Sequence, residues 1–219
     1  MKKLTNYQRV AQYLVKVFKV INEEYFNSEL KTPTITIQSV VGAYGHVTTQ
    51  KVWHNDDDAM FELNLSADYL NRPIENVVAT LIHEGCHLYA LQYGIKDTSN
   101  HGVYHNKRFK ELAEKRGLYI TKHERYGWTI TEPTEETINF CIKYGLSEIE
   151  LYRQSQIDVR GVPGIGKGSG DSSKPPKRPK KPTSTRKYIC PKCGNSFRAT
   201  KNINVMCLDC NRKFVICEG

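Results

Sequence analysis

The 219-residue chain has no run of 18 or more apolar residues, so no membrane-spanning helix is expected. Its first residues, Met1-Lys2-Lys3-Leu4-Thr5-Asn6-Tyr7, lack the apolar stretch of a secretory signal. That absence points to an intracellular, cytoplasmic protein, with association with the nucleoid left open. A disulfide framework is also missing. Of the seven cysteines, four form two C-x-x-C pairs, leaving Cys86, Cys141 and Cys217, and in a reducing compartment such pairs read as metal ligands. There is no internal repeat. Residues 1–160 carry no charge excess either, holding 19 Lys and Arg against 20 Asp and Glu. The overall +9 comes from residues 161–187, with 8 against 1, and residues 188–219, with 5 against 2. What the chain does have is 39% hydrophobic and 10% aromatic residues, enough for one substantial core and a small second module.

The pattern of apolar residues predicts a mixed architecture. Tyr7, Val10, Ala11, Leu14, Val17, Phe18, Ile21 and Tyr25 recur at helical spacing and predict a helix over 5–26. Alternation over 34–38, after Pro33, predicts a strand; residues 43–53 and 60–65 read as two more, flanking a polar turn at 54–58. A helix over 74–93 starts behind Pro73 and stops at Gly94, with Ile74, Val77, Val78, Leu81, Ile82 and Leu88 as its core stripe. A further helix is expected over 103–116, ended by Gly117, and a strand within 118–132. Residues 134–144 and 147–155 carry weaker helical patterns. The Gly- and Pro-rich stretch 161–187 cannot bury a core and is expected to be a flexible basic linker.

Within the second helix lies His83-Glu84-Gly85-Cys86-His87, a match to H-E-x-x-H. At ~3.6 residues per turn, positions i and i+4 share a face, so both imidazoles can reach one Zn²⁺. Zinc lowers the pKa of a coordinated water toward ~7, and Glu84 is placed to take the proton. Two histidines and a glutamate on a solvated face would be the bland explanation, but the helical context that the motif demands is met. Gly85 costs a helix about 1 kcal/mol relative to Ala, so a small residue is tolerated or needed there. Cys86 points away from the histidine pair and reads as packing.

A catalytic zinc takes three protein ligands and one open position. The metzincin extension is excluded, because Ala90 and Tyr93 stand where it needs glycine and histidine. The remaining candidates are Glu111, Glu114, His101 and His105. Here the chain resembles the SprT-like metalloproteases, over residues from about 4 to 217. The shared parts are an N-terminal helix, a small sheet, H-E-x-x-H, a histidine about 20 residues on and a C-terminal zinc ribbon. In that family the third histidine precedes an aromatic by four residues, and His105-Asn106-Lys107-Arg108-Phe109 fits that spacing, whereas the aromatic follows His101 by eight. The resemblance therefore implies His83, His87 and His105 as zinc ligands, Glu84 as the general base of peptide hydrolysis, and a zincin-like fold. Gly85 departs from the bulky residue usual there, which bears on packing. Fold analogy also suggests that the strand near Phe61 to Leu65 pairs with an extended substrate.

Cys190-Pro191-Lys192-Cys193 and Cys207-Leu208-Asp209-Cys210, 13 residues apart, suit a closed tetrahedral structural zinc. A module of about 32 residues needs such a metal to fold, with Phe197, Val205 and Phe214 as its mini-core. Four thiolates and one Zn²⁺ change its charge by −2, so the linker carries most of the basic field. The expectation is an α+β protein with a metallopeptidase domain at 1–160, a linker at 161–187 and a four-cysteine zinc ribbon at 188–219. Two zinc ions are expected, one catalytic and one structural. Lys177, Arg178, Lys180, Lys181, Arg186 and Lys187 are the candidate DNA contacts. By resemblance, the substrates are proteins bound or crosslinked to DNA. The competing readings are a nucleic-acid-binding regulator whose metal does no chemistry, and a metallopeptidase unrelated to DNA. The presence of Glu84, which a purely structural site would not need, favours the enzyme.

Overall fold

A computed structural model describes residues 3–40, 42–154 and 186–216. Helix α1 (Tyr7–Phe26) starts where the Asn6 side chain accepts from Gln8 N and Arg9 N, and stops at Asn27 in a left-handed conformation. Strands β1 (Thr34–Gln38), β2 (Gly45–Val47), β3 (Trp53–His54), β4 (Ala59–Met60) and β5 (Glu62–Ser66) follow, then a 3₁₀ turn at Ala67–Tyr69 and helix α2 (Ile74–Gln92). Next come β6 (Thr98–Ser99), β7 (Tyr104–His105), α3 (Lys107–Glu114), β8 (Leu118–His123), β9 (Gly127–Pro133) and α4 (Glu135–Lys143). The C-terminal part holds β10 (Arg186–Ile189), β11 (Ser196–Ala199), β12 (Met206–Cys207), β13 (Arg212–Lys213) and β14 (Val215–Ile216).

Helix α2 is buried on nearly every side: Ile74, Glu75 and all of Val77 to Cys86 are buried. It is the central helix rather than an amphipathic surface one, which is how a helix apolar around its circumference is expected to sit. The β1-β5-β2 sheet packs on one side, with β1 parallel and β2 antiparallel to β5. Asn64, fully buried on β5, bonds Thr36 Oγ1 (3.1 Å), Gln38 N (2.8 Å) and Gln38 O (3.2 Å), which locks the β1–β5 register. A second sheet, ordered β6-β7-β9-β8, covers another side of α2.

Several expectations are corrected. β5 is the middle strand, with both edges already paired, so the segment Phe61–Leu65 cannot take a substrate strand; β1 and β2 are the edges, and β2 is the one beside Glu84. Residues 43–53 split into β2 and β3 around a turn. Residues 103–116 are not one helix, since β7 precedes the Asn106 cap of α3. Residues 147–154 are extended, not helical: Ile149 bridges Leu4, and Glu150 N and Leu151 N donate to Leu4 O. Burial of Ile149 (2% exposed) and this backbone pairing override a weak local helical preference.

Candidate metal centres

Helix α2 places His83 and His87 one turn apart, and β7 brings His105 against them. Their ring nitrogens approach closely: His87 Nε2 lies 3.3 Å from His83 Nε2 and 3.1 Å from His105 Nε2. The three potential ligand atoms lie within 4.8 Å of one another. Phe109, fully buried on α3, is the shared packing surface, with its ring 4.5, 4.7 and 4.7 Å from the His83, His87 and His105 rings. His101 is exposed in a left-handed turn, and Glu111 and Glu114 are exposed on α3, so none of these alternatives joins the cluster.

Partners on the far ring nitrogens set the tautomers. His87 Nδ1 sits 2.6 Å from Asp97 Oδ2, and a carboxylate can only accept, so the proton is on Nδ1. Thr131 Oγ1 donates to Thr129 O (3.3 Å), which leaves it to accept from His83 Nδ1 at 2.7 Å. Both Nε2 lone pairs therefore face the common point, the arrangement that a carboxylate–histidine–metal relay needs. Burial holds His83 well below the usual histidine range and His105 at about 4, each lowered further by neighbouring imidazole charge, so both stay neutral. Three ring nitrogens crowded together, two of them with their protons held on the far side, fit a divalent cation.

Glu84 is 4% exposed, and burial pushes its carboxyl up to about 7, with Asp97 adding to the rise and His87 opposing it. Its neighbour is the β2 edge: a Cβ added at Gly45 would lie 3.2 Å from Glu84 Oε1 and 2.8 Å from Asn64 O. The absence of a side chain at Gly45 is what lets β2 run past the carboxylate. Gly85 has a similar cause: a Cβ there would lie 2.8 Å from Phe26 Cζ. Cys86 is buried in the core, as expected, and its thiol is pushed up to about 12. His46 and His54 are exposed, while Tyr104 packs on Gly127. Sequence reasoning missed Asp97 and Thr131. An acid 10 residues past His87, in a turn bounded by Gly94, was the one available signal.

The second cluster is Cys190, Cys193, Cys207 and Cys210, whose sulfurs also lie within 4.8 Å of one another. The amides of Cys193 and Lys192 lower Cys190 to about 7, while contact with Cys193 pushes Cys210 up to about 12. A dication is the natural way for all four to ionise together. Phe197 stacks on Tyr188 at 5.0 Å and packs edge-on to Phe214 at 4.8 Å, so two of the three expected mini-core residues meet, around the buried Tyr188 that the pattern did not mark. Arg186 and Lys187, counted with the linker, lie exposed in β10. Lys177, Arg178, Lys180, Lys181 and Cys217 lie outside the described residues.

A mixed α/β fold with a three-histidine cluster beside a buried glutamate, and a four-cysteine cluster beyond it, defines a protein with two candidate metal-binding groups. The chain belongs to the SprT-like family, whose model matches residues 14–124, a span that includes His83, Glu84, His87 and His105. No curated protein and no solved structure matches the chain. No helix among the described residues is long and apolar enough to cross a membrane.

Proposed function

We propose that the chain is a zinc-dependent endopeptidase of zincin-like architecture, with His83, His87 and His105 as ligands and Glu84 as general base. The observation that carries this is a buried glutamate adjoining the three-histidine cluster and facing a sheet edge, since a structural site has no use for such a base. When bound, zinc supplies a Lewis acid that polarises a carbonyl and acidifies water. Glu84 accepts the proton from the attacking water and passes it to the leaving amine. The exposed side of β2 offers backbone groups for an extended peptide, which would run past Glu84. Asp97 and Thr131 hold the imidazoles in register.

The same reading includes a structural zinc on Cys190, Cys193, Cys207 and Cys210, a domain order of peptidase (1–160), linker (161–187) and ribbon (188–219), and a cytoplasmic setting. It gives the protein DNA-bound or DNA-crosslinked substrates, supported by the basic excess confined to residues 161–219. Lys177, Arg178, Lys180, Lys181, Arg186 and Lys187 are its phosphate contacts. The test is proteolysis with and without DNA, by wild type and Glu84→Gln. The variant keeps its metal and loses at least ~10²-fold in rate, and wild type is stimulated by DNA. A variant cleaving at the wild-type rate would overturn the mechanism; a rate indifferent to DNA would overturn the substrate class.

A further inference from the structure

The four-cysteine unit touches the rest of the protein through more than its linker. From β11, Arg198 Nη1 donates to both carboxylate oxygens of Glu75, at 3.2 and 3.1 Å, while its Nη2 donates to Glu148 Oε1. Beside it, Thr200 Oγ1 donates to Glu135 Oε1 at 3.0 Å, at the start of α4. Glu75 sits in the first turn of α2 and is 1% exposed. The other oxygen of Glu148 accepts from Ile74 N, the first amide of α2, at 3.0 Å. Two carboxylates thus converge at the N-terminal end of the helix that carries His83, Glu84 and His87. That end of a helix favours negative charge. A planar guanidinium can serve both carboxylates at once, which a lysine cannot do with the same geometry. Burial raises Glu148, and Arg198 offsets the rise.

We propose that Glu75 and Glu148 form a docking socket for Arg198, which seats the four-cysteine unit on the N-terminal end of α2. Arg198 is then committed to carboxylates and is not among the residues free to meet phosphate.

The test is ¹⁵N relaxation on the full-length, zinc-loaded chain, which involves neither DNA nor cleavage and so stands or falls apart from the enzymatic reading. In wild type, amides of 186–216 share the rotational correlation time of residues 7–143. In Arg198→Glu, with cysteine-loop amide shifts showing the unit still folded, the ribbon's correlation time falls by roughly twofold or more, as for a tethered module. Glu148→Lys breaks the contact from the other side without altering the ribbon, and serves if Arg198→Glu loses its metal. Independent tumbling in wild type, or a common correlation time kept by a folded Arg198→Glu or by the substitute Glu148→Lys, overturns the proposal.

Discussion

Gly85 and Phe26 are one decision made at two positions. Phe26 is 1% exposed, with the Arg116 guanidinium 4.6 Å from its ring, and its edge occupies the space that a side chain at 85 would take. Gly85→Leu is expected to destabilise by about 2–3 kcal/mol through overpacking, and Phe26→Ala in the same chain to recover part of it; denaturant melts of the four proteins close the cycle. Glu84 gives a second prediction. Its folded carboxyl is raised from 4.5 to about 7, so between those values the folded chain holds a proton that the unfolded chain has released, and stability falls as pH rises. His105, lowered from 6.5 to about 4, acts oppositely and adds stability as pH climbs through that lower window. In metal-free protein, Glu84→Gln should match wild type near pH 4.5 and exceed it at pH 8 by up to about 3 kcal/mol. Thermal melts in chelator at the two pH values check this; equal gaps would refute it. At this scale, His83, Glu84 and His87 were legible because spacing alone puts them on one helix face. Asp97 and Thr131 were not, since a second hydrogen bond on a ring nitrogen leaves no periodic trace.

The element that decides the site is β7, only two residues long. It pairs with β6 on one side and, through His105 and Gly127, with β9 on the other. Gly127 has φ +73, and a Cβ there would collide with the His105 carbonyl oxygen and lie 2.8 Å from the Tyr104 ring. Gly127→Ala should push β7 off β9 and weaken metal binding roughly 10–100-fold. Zinc titration against a competing chelator measures that directly, and an unchanged affinity would show that β7 is held by other means. Such a strand is too short for alternation to mark it, which is why residues 103–116 read as one helix. The long elements were legible for the opposite reason: α1 and α2 each carry about five turns of pattern. The β8–β9 hairpin surfaced only as a single strand within 118–132, because the turn between its two strands, residues 124–126, carries neither proline nor glycine.

For the whole molecule, the two-cluster reading predicts two zinc ions per chain, falling to one in His105→Ala and to one, at the other site, in Cys193→Ser. Elemental analysis of the purified proteins gives the count, and a wild-type value of one would remove a cluster from the scheme. The division between a near-neutral front and a basic rear was readable from charge alone, whereas the seating of the ribbon was not. Its carboxylate partners Glu75 and Glu148 lie 123 and 50 positions from Arg198, a separation that leaves no local pattern. The three-histidine centre has a related property. Two of its candidate ligands come from the central helix, and the third joins them through β7. On the two-cluster reading, metal occupancy is therefore a gauge of tertiary closure. A lesion in β9, whose Gly127 pairs with His105 and whose Thr131 bonds His83, should then be read first as a weakened grip on the ion, before any change in the helices can be detected.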